Sequence, residues 1–388
     1  MRSTIAAIAV LVLAQPALVG SYEHVEQTTV VRGGAWALPA EVGADSAFAR
    51  LIQRLSEEGG FFDTENLISN EASYLHVLGK MRSLGLEGGA YVGVGPDQNF
   101  SYIAELRPQI AFILDIRRDN LLQHFLFKAL FSMSRNRAEY LSLLLGRPAP
   151  PNVSRWKNRS VQDLVEYLDS TPADSDVVQA AREAIRDRVA AYGLPLSEQD
   201  ARIIQHIHDS FIAEGLDLRF TSAGRPPRPF YPTLRQLLLE RDLTGKQASY
   251  LAEEEDFQFL KSLQSRDLIV PVVGDFAGPH ALAAIGKEIA ARGHRVTAFY
   301  TSNVEFYLMR EGTFDRFVEN VRQLPHDGKS VIVRSYFGGR YRAPHPQSVD
   351  GYFSTQLLQP IDSLLAEHGR GGMATYLDLV TKHSLELR

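Results

Sequence analysis

The sequence predicts an α/β protein built on a doubly wound, Rossmann-like sheet of seven strands with a helical insertion. Three observations predict it. Short apolar runs recur along the chain, separated by segments of helical period and by no hairpin turn, the pattern of parallel strands covered on both faces. Residues 88–120, GGAYVGVGPDQNFSYIAELRPQIAFILDIRRDN, run in the order strand, glycine turn, helix, strand, acid. From about 121 to 215 the patterning is helical alone, which reads as an insertion into the sheet order.

The elements follow in order. Residues 1–21 combine Arg2, an apolar run from Ile5 to Ala14, and Val19 and Ser21 before Tyr22. That is the layout of a signal peptide. Its cleavage predicts a periplasmic or secreted protein; without cleavage the chain is cytoplasmic. The run is too short to span a bilayer comfortably, so no stable membrane insertion is expected after cleavage. Residues 22–60 form an N-terminal lead-in segment, with SAFARLIQRLSEEGG (46–60) as a helix ending in two glycines.

Residues 61–388 form the α/β domain. EASYLHVLGKMRSLG (71–85) reads as a helix, Tyr91 to Val94 as the first strand, NFSYIAEL as a helix and IAFILDI as the second strand. NLLQHFLFKALFSMSRNRAEYLSLLLG gives two helices, and three more follow, the last opening near Ser197 and stopping at Gly215. LDLRF (216–220) is the expected third strand, followed by a proline- and arginine-rich loop or lid from 221. Strands at 268–276, 295–303 and 330–338 alternate with helices at 280–293 and 314–324. LLQPIDSLLAEHG (357–369) reads as a helix and ATYLDLV (374–380) as the last strand.

Composition bounds the function. The chain has 388 residues, 45% hydrophobic and 22% charged, as globular proteins do. A net charge of −5 gives no basic character that would suggest a nucleic-acid partner. The absence of cysteine excludes disulfides, thiolate metal sites and a cysteine nucleophile. His206 and His208 sit two apart on a helix and face different directions, so no metal site is expected. A small molecule is the expected partner, and no protein partner is specified.

Ligands of such sheets bind beyond the carboxyl ends of the strands, which selects the candidate residues. Gly93 and Gly95 permit a tight turn that a ligand can approach, and Asp97 stands where it either meets that ligand or caps the following helix. A third glycine is missing: Phe100 and Ser101 stand in its place. Asp115 lies 20 residues after Gly95, where a carboxylate accepts two ribose hydroxyls or pairs with Arg117 or Arg118. Asp275 follows the strand at 268–276, and Asn303 and Glu305 follow the next. Arg334 ends a further strand and suits an acidic group. His124 is the best placed histidine for acid–base work, or else a core residue beside Phe125.

The blocks NLISNEASYL, YVGVGPDQNFSYIAELRPQIAFILDIRRDN, KALFSMSRNRAEYLSLL, LIVPVVGDFAGPHAL and VTAFYTSNVEFYL resemble a bacterial family of uncharacterised proteins. The strand order, the glycine turn and the acid ending the second strand also resemble class I S-adenosylmethionine-dependent methyltransferases. That resemblance implies S-adenosylmethionine across Gly93, Gly95, Asp97 and Asp115. Asp275, Asn303 and Glu305 would then face a small acceptor, with Arg334 beside them, and His124 would remove its proton. Two departures stand out: Tyr91 and Val92 replace the acid expected before the glycine turn, and the insertion after the second strand is long. The alternatives are an exported, non-catalytic small-molecule-binding protein on the same fold and an NAD(P)-linked oxidoreductase.

Overall fold

Among the described residues six strands, rather than seven, form the sheet. The computed structural model describes residues 46–222, 225, 228–338 and 344–388, so the signal-peptide reading and most of the lead-in segment lie outside the described residues. The strands are β1 (Ala90–Gly93), β2 (Ile110–Asp115), β3 (Ile269–Val273), β4 (Val296–Ser302), β5 (Val331–Phe337) and β6 (Ser354–Pro360). Their spatial order is β3-β2-β1-β4-β5-β6. The first five are joined in parallel and β6 runs antiparallel to β5. β1, β2, β3 and β5 are buried at every residue, which explains the apolar runs they contain: neither face meets water.

Helices α1 (Ala47–Leu55), α2 (Leu78–Ser83), α3 (Gln98–Leu106), α4 (Arg118–Met133) and α5 (Arg137–Leu144) open the chain. The insertion continues with α6 (Val161–Ser170), α7 (Ser175–Ala190), α8 (Glu198–Glu214), α9 (Leu234–Leu239) and α10 (Glu254–Ser265). It therefore extends from the end of β2 to the start of β3, well past 215. Helices α11 (Ala281–Ala291), α12 (Val304–Glu311) and α13 (Phe314–Arg322) connect β3, β4 and β5, and helices Ile361–Gly369 and Tyr376–Thr381 follow β6. No helix among the described residues is long and apolar enough to cross a membrane.

The insertion is anchored by α4, which packs on β2, β3, α7, α8 and α10. Apolar residues cover α4 on all sides because it is buried on all sides. Arg118 grips Asp200 at the start of α8 through two bonds of 2.7 and 2.9 Å. Arg137, buried, donates to the carbonyls of Leu251, Ala252 and Arg159 and so ties three separate stretches together.

Four local expectations fail for identifiable reasons. LDLRF lies inside the insertion with no strand beside it, and forms a 3-10 turn (Gly215–Asp217) and a single bridge from Arg219 to Thr233. ATYLDLV is a helix: Thr375 and Asp378 form a capping box, and Tyr376, Leu379 and Val380 turn one buried face inward. The predicted helix from 71 shrinks to α2, because the backbone and hydroxyl of Ser73 bond to Ser354 Oγ at 3.3 and 2.7 Å and tie this stretch to β6. β6 in turn occupies residues expected to begin a helix, which starts only after Pro360.

Glu305 and Arg334 meet inside this framework. The guanidinium donates to both carboxylate oxygens at 2.8 and 3.0 Å, and Nη1 donates to Gln359 Oε1 at 2.7 Å. Both side chains are fully buried. The pair locks α12 to β5 and β5 to β6. Arg334→Met is expected to destabilise the chain by about 3–5 kcal/mol, since it strands a buried carboxylate. Adding Glu305→Leu should recover most of that loss. Denaturant unfolding of the single and double variants measures this; an Arg334→Met variant as stable as the parent would contradict it.

Candidate functional site

Strand order reverses between β1 and β4, and a crevice opens there at the carboxyl ends of the strands. A cavity of about 490 Å³ fills it. Each of the five parallel strands reaches its wall: Gly95 after β1, Asp115 at the end of β2, Asp275 after β3, Ser302 and Asn303 at the end of β4, and Phe337 at the end of β5. The proline- and arginine-rich loop supplies Arg225, Arg228, Phe230 and Tyr231 to the same wall. Four sequence-predicted residues, Gly95, Asp115, Asp275 and Asn303, thus come together. Gly93, Asp97, His124, Glu305 and Arg334 are not among the lining residues.

The glycine turn explains two of those absences. Gly95 has φ +83°, open to glycine and strained for other residues. Asn99 sits under the turn and donates to the carbonyls of Val94, Gly95 and Pro96 at 2.9, 3.2 and 2.7 Å. Tyr91 fixes the amide by donating to Asn99 Oδ1 at 2.8 Å. A Cβ on Gly93 would come within 2.0 Å of that same oxygen, so Gly93 serves the packing beneath the turn. His124 Nε2 donates to Gly95 O at 2.9 Å. Burial lowers the His124 pKa to about 4, so the ring is neutral and holds the turn's shape.

Asp97 also faces inward. It stands at the N-cap of α3 but makes no capping bond; its carboxyl accepts from Tyr250 at 3.1 Å. Burial raises its pKa to about 6. Glu305 and Arg334 are committed to each other. The expected roles of His124, Glu305 and Arg334 at a ligand are therefore corrected by their positions: a ring turned into the core and a closed ion pair leave no group at the cavity wall.

Asp115 lines the cavity but already has a partner. Arg117 donates to Asp115 Oδ1 from its backbone at 2.9 Å and from Nε at 3.1 Å, and to Oδ2 from Nη2 at 2.9 Å. With two lone pairs per oxygen, one acceptor site remains, on Oδ2. Arg117 also reaches the carbonyls of Thr64 and Glu65 at 3.2 and 2.9 Å, which draws the segment before α2 over the cavity. Asp275 caps its own turn by accepting from Ala277 N at 2.9 Å. Glu57, from the lead-in segment, accepts from the backbone of Asp275, His280 and Ala281 and so closes the start of α11.

Sequence reasoning missed Glu71. It is almost fully buried yet lines the cavity. It accepts from Tyr300 OH at 2.6 Å, from Gln356 Nε2 at 3.1 Å and from Ser302 Oγ. Burial raises its pKa against the opposing pull of these bonds. Ser302 has φ +53°, a backbone conformation uncommon outside glycine, at the point where β4 and β5 lose register. The available signal was an isolated glutamate in an otherwise uncharged stretch, NLISNEASYL. Among the described residues no group of histidines and carboxylates gathers in a metal-holding arrangement.

Residues 67–370 match a family described as a domain of unknown function, DUF7790, and the chain belongs to that family. The matched span contains all six strands and Glu71; it leaves out α1 and Glu57. A comparison with curated proteins finds no match.

The buried groups around the turn predict opposite pH responses. Between about pH 6.5 and 4 the unfolded chain takes a proton on His124 that the folded chain refuses. That contribution to stability is complete above pH 6.5 and is lost as pH falls toward 4. Asp97 works the other way: the folded chain keeps its proton up to about pH 6, so stability falls as pH rises from 3.8 through 6. Stability measured from pH 4 to 7 should show a smaller loss on acidification in His124→Gln than in the parent. Asp97→Asn should show a smaller loss on raising the pH. Curves parallel to the parent's would remove the buried, neutral assignments.

Proposed function

We propose that this chain binds S-adenosylmethionine in the strand-end cavity and transfers its methyl group to a small acceptor. The observation that carries the reading is a single cavity at the strand-order reversal, with a glycine turn on one wall and a strand-end carboxylate on the next. The adenosine would lie along Gly95 and Asp115, where the free lone pair of Asp115 accepts one ribose hydroxyl. Asp275 and Asn303 border the rest of the space. In the reaction an acceptor nucleophile attacks the methyl carbon, the carbon–sulfur bond breaks, and S-adenosylhomocysteine and a proton leave. The protein's contribution is alignment of the nucleophile with the methyl group.

The charge of the cavity favours this cofactor over NAD. The lining carries five carboxyl side chains, Asp63, Glu71, Asp115, Asp275 and Glu311, against three arginines. Arg117 is paired with Asp115 and Arg225 with Asp63. Such a lining attracts a sulfonium and opposes a pyrophosphate. Phe100, in place of the third glycine, is buried in the core and keeps α3 from the close approach that a dinucleotide turn uses.

One observation favours a second reading, a non-catalytic small-molecule-binding protein: Asp115 is already engaged by Arg117, which weakens a ribose site. Export of the chain would add to it, because S-adenosylmethionine is a cytosolic supply.

Calorimetric titration of the full chain with S-adenosylmethionine, S-adenosylhomocysteine and NAD tests the proposal. Saturable binding of the first two and none of NAD is expected. Asp115→Ala should weaken that binding at least tenfold. Asp115→Asn, which keeps the cap on Arg117 N, provides a variant less prone to local unfolding. No binding by folded, ligand-free protein would leave the second reading.

A further inference from the structure

Glu71 and Gln98 set side-chain acceptors at one corner of the cavity wall. Tyr300 has one hydroxyl proton, and it goes to Glu71 Oε2 at 2.6 Å. The tyrosine oxygen therefore receives from Gln98 Nε2, at 3.2 Å, and this chain of bonds fixes which way the Gln98 amide points. Gln98 Oε1 is then left without a partner although the side chain is only 7% exposed. Leaving a buried acceptor unmade is costly. Glu71 Oε1 accepts from Ser302 Oγ. Both residues line the cavity.

The walls beyond this corner are aromatic. Phe230 and Phe353 lie with ring centroids 4.2 Å apart, and Phe62 and Tyr307 meet edge to face at 4.9 Å. Phe337 packs 5.8 Å from Phe353. At the rim, Phe61 is 84% exposed and Phe230 43%, an unusual exposure for large rings on a soluble surface. All five of these phenylalanines line the cavity. Ser302, Phe337 and Phe353 place this part at the β4, β5 and β6 side of the reversal, away from Asp115 and Asp275 on the β2 and β3 side.

We propose that the β4–β6 half of the cavity takes a flat, largely apolar molecule that carries a hydroxyl or amine at its inner end, with Glu71 and Gln98 receiving that hydrogen. The aromatic rings supply stacking area, and the donor fills a buried acceptor that the described residues leave unmade at this wall. A carboxylate in the same place would meet Glu71 and be repelled. The assignment rests on the proposed function only in calling this molecule the methyl acceptor.

Two probes of nearly equal shape test it on the full chain: 2-naphthol, which has a donor, and 2-methylnaphthalene, which has none. Burial of apolar area alone favours the methyl compound, so the sign of the preference is diagnostic. Titration is expected to show 2-naphthol binding at least tenfold more tightly. Gln98→Met removes the orphan oxygen, and Glu71→Gln makes the side chain share its single acceptor oxygen between Tyr300 and Ser302. Each should reduce the preference at least fivefold while leaving 2-methylnaphthalene within threefold of its parent affinity. Gln98→Met loses only the bond to Tyr300, so it carries the test if Glu71→Gln fails to fold. Equal affinity for the two probes, an intact preference in Gln98→Met, or no binding of either probe by folded chain would each overturn the proposal. S-adenosylmethionine is titrated into the same preparations. Its binding without a naphthol preference leaves the methyl-transfer reading in place, and a naphthol preference without its binding leaves the subsite and removes that reading.

Discussion

Three backbone carbonyls converging on one side-chain amide set the geometry of this cavity. Between Val94 and Pro96 the chain must leave β1, reverse and enter α3 without any regular ladder to receive its carbonyls. Asn99 receives them all, and Tyr91 and His124 hold the arrangement from below and behind. The cost of burying those carbonyls unpaired would exceed the cost of ordering one asparagine side chain. Because the carbonyls are drawn inward, the outer edge of the turn stays clear and Gly95 becomes cavity wall. The short β1, the positive φ of Gly95 and the closeness of Gly93 to Asn99 all follow from this one requirement.

The same accounting sorts the polar residues at the strand ends. A buried charge persists where a partner matches it, and the match then removes it from other work. Glu305 and Arg334 satisfy each other, with Gln359 completing the guanidinium. Asp275 spends its carboxylate on a turn and Glu57 spends its own on the start of α11. Asp115 is intermediate, since Arg117 fills three of its four acceptor sites. Glu71 differs in that its partners are all neutral donors. They orient the carboxyl, and burial pushes its pKa upward.

The parallel core was legible because its strands carry their signal in their own residues. Continuous apolar runs such as IAFILD and IVPVV are spelled by burial on both faces, and helices such as α8 and α11 announced themselves by period and caps. Gly95, Asp115, Asp275 and Asn303 were legible for the same reason: each follows a readable strand. What failed depended on distant partners. Residues 354–360 form a strand only because β5 is there to pair with them, and 374–380 has an apolar content that suits a strand or a helix until Thr375 and Asp378 are read as a capping box. His124 beside DIRRDN gave no local sign that its ring turns away toward Gly95. Glu71 was hidden most deeply, since Tyr300, Ser302 and Gln356 lie more than two hundred residues from it along the chain.

Residue type and position after a strand therefore select candidates, and unsatisfied bonding capacity separates them. A carboxylate with its sites filled by the protein is part of the framework, however suggestive its place in the sequence. Gln98 is the converse case. An unremarkable glutamine at the start of a helix has its nitrogen claimed by Tyr300 and its oxygen claimed by nothing among the described residues. Evolution can remove such a group easily, since methionine or leucine fills similar space without a polar atom to satisfy. Its presence beside a buried carboxyl, on the wall of an aromatic cavity, is best understood if the missing hydrogen arrives with the ligand. Around the cavity, bonds that close within the chain build its walls, and the open acceptor of Gln98 bears on what it holds.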